Sequence, residues 1–341
     1  MKVTENAELG SFNTFGVKAS ASLMIEVQHE EEVLSLSAFN PSKDLVLGGG
    51  SNILFVDDVA GTLLLNRIRG VAVASEDQDH VYLEVGAGEN WHELVHWCVG
   101  QGWSGIENLA LIPGLSGAAP MQNIGAYGVE LESVLTNVTA WDWKTAGWVV
   151  LDKKECRLGY RDSLFKSTEI GRYFITSIGL KLDKQFSPQL SYQGLKEALT
   201  PDVEQGSLGP KDVFDAVVKL RKSRLPDHTI EGNAGSFFKN PVVGQDELDG
   251  LQHAHPNLPH WRMDDRRMKL SAAWMIEQCG LKGLELGGAA VSERHSLVLL
   301  NRGAASGAEI WKLAEHVRNA VHNEFGILLM PEPQIYHSSS K

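Results

Sequence analysis

Short apolar runs separated by glycine dominate the first half of the chain. Between residues 13 and 185 they include 44–47, 62–65, 81–85 and 173–176, which are rich in leucine, valine, isoleucine and tyrosine. Apolar runs of this length between glycine turns are typical of β-strands. The pattern therefore predicts a strand-rich N-terminal half.

Apolar residues at helical spacing occur in fewer places, and most of these have a recognisable start. Ser306 and Glu309 form a capping-box sequence, and apolar residues then recur every three or four positions until Gly326. Glycine after the last periodic residue is a common helix end. By the same criteria Asn90 and Glu93 open a helix over 90–98. Further helices are predicted over 212–221 and 271–279.

The character of the chain changes at Leu225-Pro226-Asp227-His228. Proline disfavours helix at the residue before it, so the preceding helix has to end here. Longer helical segments follow this point, over 271–279 and 306–325. The pattern predicts the α+β class, with a strand-rich N-terminal half and a smaller mixed C-terminal domain.

Composition adds limits on location and partners. The 341 residues are enough for two or three domains. No apolar run reaches the ~18–20 residues that span a bilayer, and no apolar signal segment is visible at the start. Three scattered cysteines, Cys98, Cys156 and Cys279, form neither a disulfide framework nor a metal pair. We expect free thiols and a cytoplasmic protein.

The formal net charge of −12 disfavours nucleic acid and anionic membranes as partners. A small anionic substrate remains compatible with this charge if basic residues cluster locally. The basic side chains placed to do so are Arg161, Lys166, Arg221, Lys222, Arg224 and Lys239.

Three glycine-rich turns, at 47–52, 85–90 and 112–120, follow predicted strands. Glycine allows backbone N–H groups to approach phosphate oxygens closely, so three such turns predict a shared diphosphate site. The dinucleotide fingerprint G-x-G-x-x-G fails in the first two, because Ile53 and Trp91 stand at the third glycine position. No P-loop sequence is present either. A bound dinucleotide would therefore lie on another scaffold.

Residues His92 to His96 form an HExxH sequence, which on a helix suits a zinc hydrolase. The usual extension fails, since Val99 and Gly102 replace the expected glycine and third histidine. We interpret these residues as surface and capping positions of a helix, and keep the zinc hydrolase as an alternative. The segments 114–118 and 234–238 each miss the GxSxG pattern of serine hydrolases.

Three further clusters carry side chains suited to chemistry. Residues 159–166 place Arg161 among aromatic side chains, where a guanidinium can bind a carboxylate through two hydrogen bonds. Residues 232–241 present Ser236 in a glycine-rich turn, and residues 329–333 place Glu332 between two prolines. Taken singly, each also fits an ordinary surface ion pair, turn serine or strand-end glutamate.

In their order along the chain, these clusters resemble the UDP-N-acetylenolpyruvoylglucosamine reductase family of bacterial cell-wall synthesis. The resemblance extends from Asn13 to Glu332, and the segment 190–195 resembles the tyrosine loop of the longer type in that family. It implies a two-lobed FAD-binding domain of the vanillyl-alcohol-oxidase (PCMH) type over 13–185, with lobes dividing near 67–70. A tyrosine-loop insertion and helix (186–225) and a smaller α+β substrate-binding domain (226–337) would follow.

The resemblance also implies an activity. Non-covalent FAD and the co-substrate NADPH would reduce the enolpyruvyl ether of UDP-N-acetylglucosamine to UDP-N-acetylmuramate. This reaction supplies peptidoglycan synthesis and hence cell shape and division. We expect a monomeric cytoplasmic enzyme with no metal.

Site residues follow from matching the family pattern position by position. Arg161 and Glu332 would polarise the substrate carboxylate, and Ser236 would give the proton that completes the lactyl ether. The residues expected to bind the cofactor are Gly48, Gly49, Gly50, Ser51, Asn52, Pro113, Gly114, Gly117, Ala118, Ala119 and Gly125. Those expected to bind the UDP-sugar are Tyr127, Tyr192, Arg224, Asn240 and His295.

Three positions depart from the family pattern. Arg224 replaces the usual lysine, Pro333 follows Glu332 in place of a small aliphatic residue, and His295 stands where some members have glutamine. None of them removes a catalytic group. Two alternatives on the same scaffold stay open besides the zinc hydrolase. A flavin oxidase is one, although the first glycine turn lacks a histidine or cysteine for covalent flavin. A non-catalytic UDP-sugar-binding regulator is the other.

Overall fold

A computed structural model describes residues 1–36, 39–40, 43–205 and 208–338, without the side chains of 201–205. It divides the chain into two compact units. The first unit comprises Met1–Ala7, Ala21–Gly49 and Val59–Ser223. The second unit comprises Glu8–Ser20, Gly50–Asp58 and Arg224–Lys341. Within the described ranges, no helix is both long and apolar enough to cross a membrane.

Strands and helices alternate irregularly along the chain. The helices are α1 (Trp91–Gly100), α2 (Gln193–Gln205), α3 (Pro210–Arg224), α4 (Gln245–Ala254), α5 (Ala272–Gln278) and α6 (Gly307–Phe325). The strands are β1 (Lys2–Glu8), β2 (Ser20–Val27), β3 (Leu45–Leu47), β4 (Ile53–Phe55), β5 (Val59–Asn66), β6 (Val71–Glu76), β7 (His80–Gly86), β8 (Gly125–Ala126), β9 (Val129–Glu130), β10 (Leu135–Asp142), β11 (Gly147–Asp152), β12 (Tyr173–Asp183), β13 (Val242–Val243), β14 (His260–Arg262), β15 (Met268–Leu270), β16 (Glu285–Leu286), β17 (Ala289–Val291), β18 (Leu299–Asn301) and β19 (Gln334–Tyr336).

The first unit contains two main sheets. One has the order β1-β2-β5-β3, and its central strand β5 runs parallel to both β2 and β3. The residues 63–65 of β5 are all buried, as a strand covered on both faces requires. The other sheet has the order β11-β10-β12-β7-β6 and is antiparallel throughout. The predicted strands at 62–65, 81–85 and 173–176 are thus confirmed.

Helix α1 joins the core of the first unit through the face that its sequence predicts. Trp91, Leu94, Val95 and Cys98 are all buried. The Asn90 side chain accepts a hydrogen bond from the backbone N–H of residue 93, which confirms the predicted cap. Helix α3 extends from Pro210 to Arg224, a few residues beyond the predicted 212–221 at each end.

The second unit is built around α6 and short sheets. Ser306 and Glu309 form the predicted capping box, and Gly326 ends the helix with a φ of 70°. Small sheets β13-β15-β14 and β16-β17-β18 belong to this unit, and β19 pairs in parallel with β4. The N-terminal segments Glu8–Ser20 and Gly50–Asp58 therefore share a core with the C-terminal residues. The predicted domains, 13–185, 186–225 and 226–337, are continuous segments of the chain, whereas each compact unit combines several segments. The domain boundaries stay a prediction.

The three cysteines are free thiols, as predicted. Cys98 and Cys156 are buried, and this burial raises the pKa of each thiol to about 12. Both thiols therefore stay protonated at neutral pH and act as small apolar core residues.

Candidate active site

The glycine-rich turns of the first unit lie against one another. A Cβ added to Gly49 would lie 3.0 Å from the Cα of Gly114, and one added to Gly117 would lie 2.4 Å from the Cβ of Ala87. The backbone N–H of Gly117 donates to the carbonyl of Ala87 at 2.9 Å. Only glycine permits such close approach, so the three turns form the continuous backbone surface that the sequence predicts.

This surface fits the diphosphate of a dinucleotide. Side chains at Gly49, Gly88 or Gly117 would collide with the neighbouring backbone, so main-chain groups line these turns. Backbone N–H groups of this kind bind anionic phosphate oxygens. Of the predicted cofactor residues, Gly48, Gly49, Pro113, Gly114, Gly117, Ala118, Ala119 and Gly125 belong to the first unit, and Gly50, Ser51 and Asn52 to the second.

Arg161 occupies a tight turn from Gly159 to Asp162. These two end residues exchange backbone hydrogen bonds of 3.0 and 3.2 Å, and Arg161 at the third position has a φ of 53°. A non-glycine residue in this region costs about 1–3 kcal/mol and persists only where its surroundings hold it. The Nη2 atom of Arg161 donates to the carbonyl of Gly125 at 2.6 Å. The guanidinium is therefore fixed beside a predicted cofactor residue.

Two polar side chains hold this turn in place. The fully buried Asn123 donates from Nδ2 to the carbonyl of Gly159 at 3.1 Å and to Glu130 Oε2 at 2.9 Å. Ser163 Oγ donates to the carbonyl of Met121 at 2.6 Å. The sequence did not predict this role for Asn123. A polar residue beside a glycine turn is the one signal at this position.

Tyr127 and Tyr192, both predicted to bind the UDP-sugar, lie side by side in the first unit. Their ring centroids are 5.0 Å apart with planes at 77°. Asn108 connects the two segments, because its Nδ2 donates to the carbonyls of Tyr127 and Gln189 at 2.9 Å each. Tyr192 keeps 39% of its surface exposed. Asn108 thus positions the tyrosine loop, a role that the sequence did not predict.

In the second unit, backbone hydrogen bonds bring the segments of Ser236 and Glu332 together. The backbone N–H of Phe237 donates to the carbonyl of Leu297 at 2.6 Å. The backbone carbonyl of Phe237 accepts from the N–H of Glu332 at 2.8 Å. Ser236 is partly exposed. The two predicted catalytic residues of this unit therefore lie at neighbouring positions of adjacent segments.

Pro333 fits the backbone path after Glu332 without disturbing it. The carbonyl of Glu332 accepts from Asn52 Nδ2 at 3.3 Å, and the carbonyl of Asn52 accepts from the N–H of Gln334 at 2.9 Å. Proline lacks an N–H, and here the flanking residues supply the hydrogen bonds. Asn52 therefore fixes the Glu332 segment.

His295 lies near Arg224 in the same unit. Burial lowers the pKa of its imidazole, and the charges of Arg224 and Lys282 lower it further against the opposing charge of Glu277. Its Nδ1 accepts from the N–H of Leu297 at 3.3 Å, so the neutral ring carries its proton on Nε2. His295 can therefore donate one hydrogen bond while uncharged.

Asn240, the remaining predicted substrate residue, is oriented by the start of α5. Its Oδ1 accepts from the backbone N–H of Ala272 at 3.0 Å. Because this contact identifies the oxygen side of the amide, it also fixes the direction of Nδ2. The side chain is therefore held in a single orientation.

The HExxH residues have a packing role. His92 Nδ1 accepts from the N–H of Leu111 at 3.1 Å, and its ring stacks on Phe214 at 5.4 Å. His96 contacts the same phenyl ring. Among the described residues, no three His, Cys, Asp or Glu side chains form a group that could hold a metal ion. His92 supports the backbone of Leu111, just before the third glycine turn.

The fold and the glycine surface define an FAD-dependent oxidoreductase. A model of the FAD binding domain matches residues 21–149. The structure of 6-hydroxy-D-nicotine oxidase from Arthrobacter nicotinovorans superposes with a TM-score of 0.51 at 12% identity, over 96% of this chain and 86% of that one. At this identity the likeness concerns the fold alone. The domain model and this likeness together confirm the predicted α+β fold with an FAD-binding domain.

More specific relatives cover the whole chain. The model described as UDP-N-acetylenolpyruvoylglucosamine reductase, C-terminal domain, matches residues 227–336. Enzymes of this name from Photobacterium profundum and Escherichia coli K12 are 41% and 42% identical, over 100% and 98% of this chain and 98% and 97% of theirs. The structure of the Thermus caldophilus reductase superposes with a TM-score of 0.68 at 24% identity, over 98% of each chain. The chain belongs to the UDP-N-acetylenolpyruvoylglucosamine reductase family.

Proposed function

We propose that this protein reduces UDP-N-acetylglucosamine enolpyruvate to UDP-N-acetylmuramate with electrons from NADPH. The proposal takes its substrate from the names of relatives that match the full chain. We also propose that it acts as a monomer in the cytoplasm. FAD, when bound, takes two electrons from NADPH and passes them to the substrate as hydride.

The protein's own residues would hold the cofactor and orient the reaction. The turns at 48–49 and 113–119 would bind the FAD diphosphate through backbone N–H groups. Tyr127 and Tyr192, packed ring to ring, would contact the UDP-sugar. Arg224, Asn240 and neutral His295 would contribute further hydrogen bonds.

Arg161 would bind the carboxylate that is conjugated with the substrate's double bond. Negative charge flows into this carboxylate when hydride adds, and a fixed guanidinium stabilises it without reorganisation. The strained turn and the bond to Gly125 supply that fixation. By the family pattern, Glu332 would also polarise this carboxylate.

Ser236 would donate the proton that completes the lactyl ether. A hydroxyl is a weak acid, so it has to be positioned closely and polarised strongly. The observation that carries this assignment is the backbone bond from Glu332 to Phe237, which sets a carboxylate segment beside the serine. A flavin oxidase or a non-catalytic regulator has no use for this arrangement.

The test is a visible absorption spectrum of the anaerobic, FAD-loaded protein. Addition of NADPH should bleach the flavin bands, and addition of UDP-N-acetylglucosamine enolpyruvate should restore them. Bleaching without restoration would contradict the proposed substrate. Protein that FAD cannot reconstitute would contradict the cofactor assignment.

A further inference from the structure

Arg221 stands on the buried face of α3. Val213, Phe214 and Val217 of this helix are buried, and Arg221 lies one turn beyond Val217 on the same face. The next three residues, Lys222, Ser223 and Arg224, are exposed. An arginine therefore occupies a position at which the helix pattern predicts an apolar residue.

The environment of Arg221 leaves part of its guanidinium unsatisfied. Its Nε atom is shielded from solvent, and no atom of the described residues accepts a hydrogen bond from it. Burial lowers the pKa of Arg221, although an arginine stays charged at any physiological pH. Buried polar atoms without a partner are rare in folded proteins and call for an explanation such as an absent ligand.

Among the groups that act electrostatically on Arg221 are Tyr127 and Arg161. Arg161 carries the same charge, so the two guanidinium groups repel each other in the free protein. An anion that binds to both cations offsets this repulsion. Both neighbours already belong to the site that was assigned to the substrate.

We propose that Arg221 is the second guanidinium of the carboxylate site and binds, together with Arg161, the carboxylate of the enolpyruvyl substrate. This assignment rests on the proposed function. It adds a catalytic residue on α3, and it explains why a charged side chain replaces an apolar one on that helix face.

The charge balance of the reaction accounts for two guanidinium groups. Hydride from reduced FAD, which is oxidised in this step, forms a C–H bond at the terminal carbon of the double bond. The π electron pair moves to the inner carbon and its carboxylate, which together then carry two negative charges instead of one. The proton from Ser236 forms a bond to the inner carbon and restores the single charge. A second cation therefore binds the transient dianion more strongly than the substrate, as rate acceleration requires.

The test compares Arg221→Met, Arg221→Lys and the control Lys222→Met, which changes the neighbouring exposed cation. Methionine suits an apolar helix face, so the fold should be retained. Flavin reduction by NADPH should be unchanged in all three variants. Flavin reoxidation by the substrate should slow on the order of 10²-fold in Arg221→Met, as for the loss of one donor to a developing oxyanion. Lys222→Met should reoxidise at the wild-type rate.

A ligand pair checks which group Arg221 binds. UDP-N-acetylmuramate carries a carboxylate and UDP-N-acetylglucosamine does not, while their UDP groups are identical. Arg221→Met should weaken binding of the first roughly tenfold or more and leave binding of the second unchanged. Equal weakening of both, or loss of FAD, would contradict the carboxylate assignment.

The lysine variant keeps the test decisive if Arg221→Met does not fold. Lysine preserves the charge but not the paired donors, so reoxidation should lie between wild type and the methionine variant. A wild-type rate in Arg221→Lys would overturn the proposal in that case. Failure of the proposed function would give a different result, because the substrate would then not reoxidise the reduced flavin even in the wild-type protein.

Discussion

Leu111, Asn123, Tyr127 and Arg161 are among the residues of the first unit that adopt a left-handed backbone conformation with φ between 43° and 58°. Each lies in a segment that carries, or directly supports, the candidate site. Such strain persists only when surrounding contacts compensate for it, and here Asn108, Asn123 and His92 supply these contacts. The backbone of the site is therefore held in place before any ligand binds.

Replacing Ser236 by alanine tests the proton donor at the residue scale. Flavin reduction by NADPH should stay at the wild-type rate, because it needs no proton from this hydroxyl. Reoxidation by the substrate should fall by roughly 10²–10⁴-fold, the usual contribution of a positioned acid. Stopped-flow absorbance measures both half-reactions. Ser338→Ala, an exposed serine of the same unit, serves as control. Equal loss in both half-reactions would show that Ser236 has a structural role.

His295 should make stability depend on pH. Because burial lowers its pKa below the ordinary 6.5, the unfolded chain binds a proton more readily than the folded one. The stability that the neutral His295 ring contributes is fully present above pH 6.5. It is lost as the pH falls toward the lower pKa of the folded state. The free energy of unfolding should therefore be higher above pH 6.5 than below it, and this difference should be smaller in His295→Gln than in the wild type.

Urea unfolding at a series of pH values measures this difference. His316→Gln, at an exposed position of α6, serves as the control for the substitution itself. An unchanged pH dependence in His295→Gln would contradict the role of burial at this residue.

At the scale of single elements, local sequence signals give good predictions. The capping box at Ser306, the end of α6 at Gly326 and the cap of α1 at Asn90 all appear as predicted. Each depends on residues within one helical turn, so the sequence alone contains the information. Strand positions were predictable for the same reason. The pairing of β4 with β19 was not, because it joins residues about as far apart as the chain permits.

Gly117→Ala tests the packing of the glycine turns. The new methyl group would lie 2.4 Å from the Cβ and 3.0 Å from the Cα of Ala87, so the turns have to separate. We expect a loss of about 1–3 kcal/mol of stability and weaker FAD binding. Fluorescence titration with FAD and urea unfolding measure the two effects. Gly100→Ala in α1 meets no atom within 4 Å and should bind FAD normally. Normal FAD binding in Gly117→Ala would contradict this account.

Tyr192→Phe tests the tyrosine loop. Removal of one hydroxyl should weaken binding of the UDP-sugar by about 1–3 kcal/mol if it contacts the diphosphate, with little effect on FAD. The ring packing on Tyr127 is preserved in this variant. Calorimetric titration with UDP-N-acetylmuramate and with FAD measures the two affinities separately. Tyr82→Phe, which removes a β7 hydroxyl that donates to Asp77, is the control. A preferential loss of FAD affinity would refute the assignment.

At the scale of the whole molecule, the predicted site residues are divided between two compact units. Arg161, Tyr127, Tyr192 and the turns at 48–49 and 113–119 belong to the first unit. Ser236, Glu332 and His295 belong to the second. The division does not follow chain order, because two N-terminal segments join the second unit.

Adding FAD to cofactor-free protein should raise the thermal midpoint. A ligand at 100 times its Kd adds about 2.7 kcal/mol when it binds only the folded state. Differential scanning calorimetry across FAD concentrations measures the shift, and Gly117→Ala should show a smaller one. A midpoint independent of FAD concentration would contradict binding to the native state.

The sequence by itself determined the class, the helix ends, the glycine turns and the side chains suited to chemistry. Each of these is a local property, set by residue type and short spacing. The tertiary structure alone decided which of them meet. Asn108 connects Tyr127 to Gln189, the carbonyl of Gly125 fixes Arg161, and the half-buried Arg221 lies within electrostatic reach of both Tyr127 and Arg161. These contacts join residues far apart in sequence, and no local pattern specifies them, because they form only when sheets and helices pack around a common core.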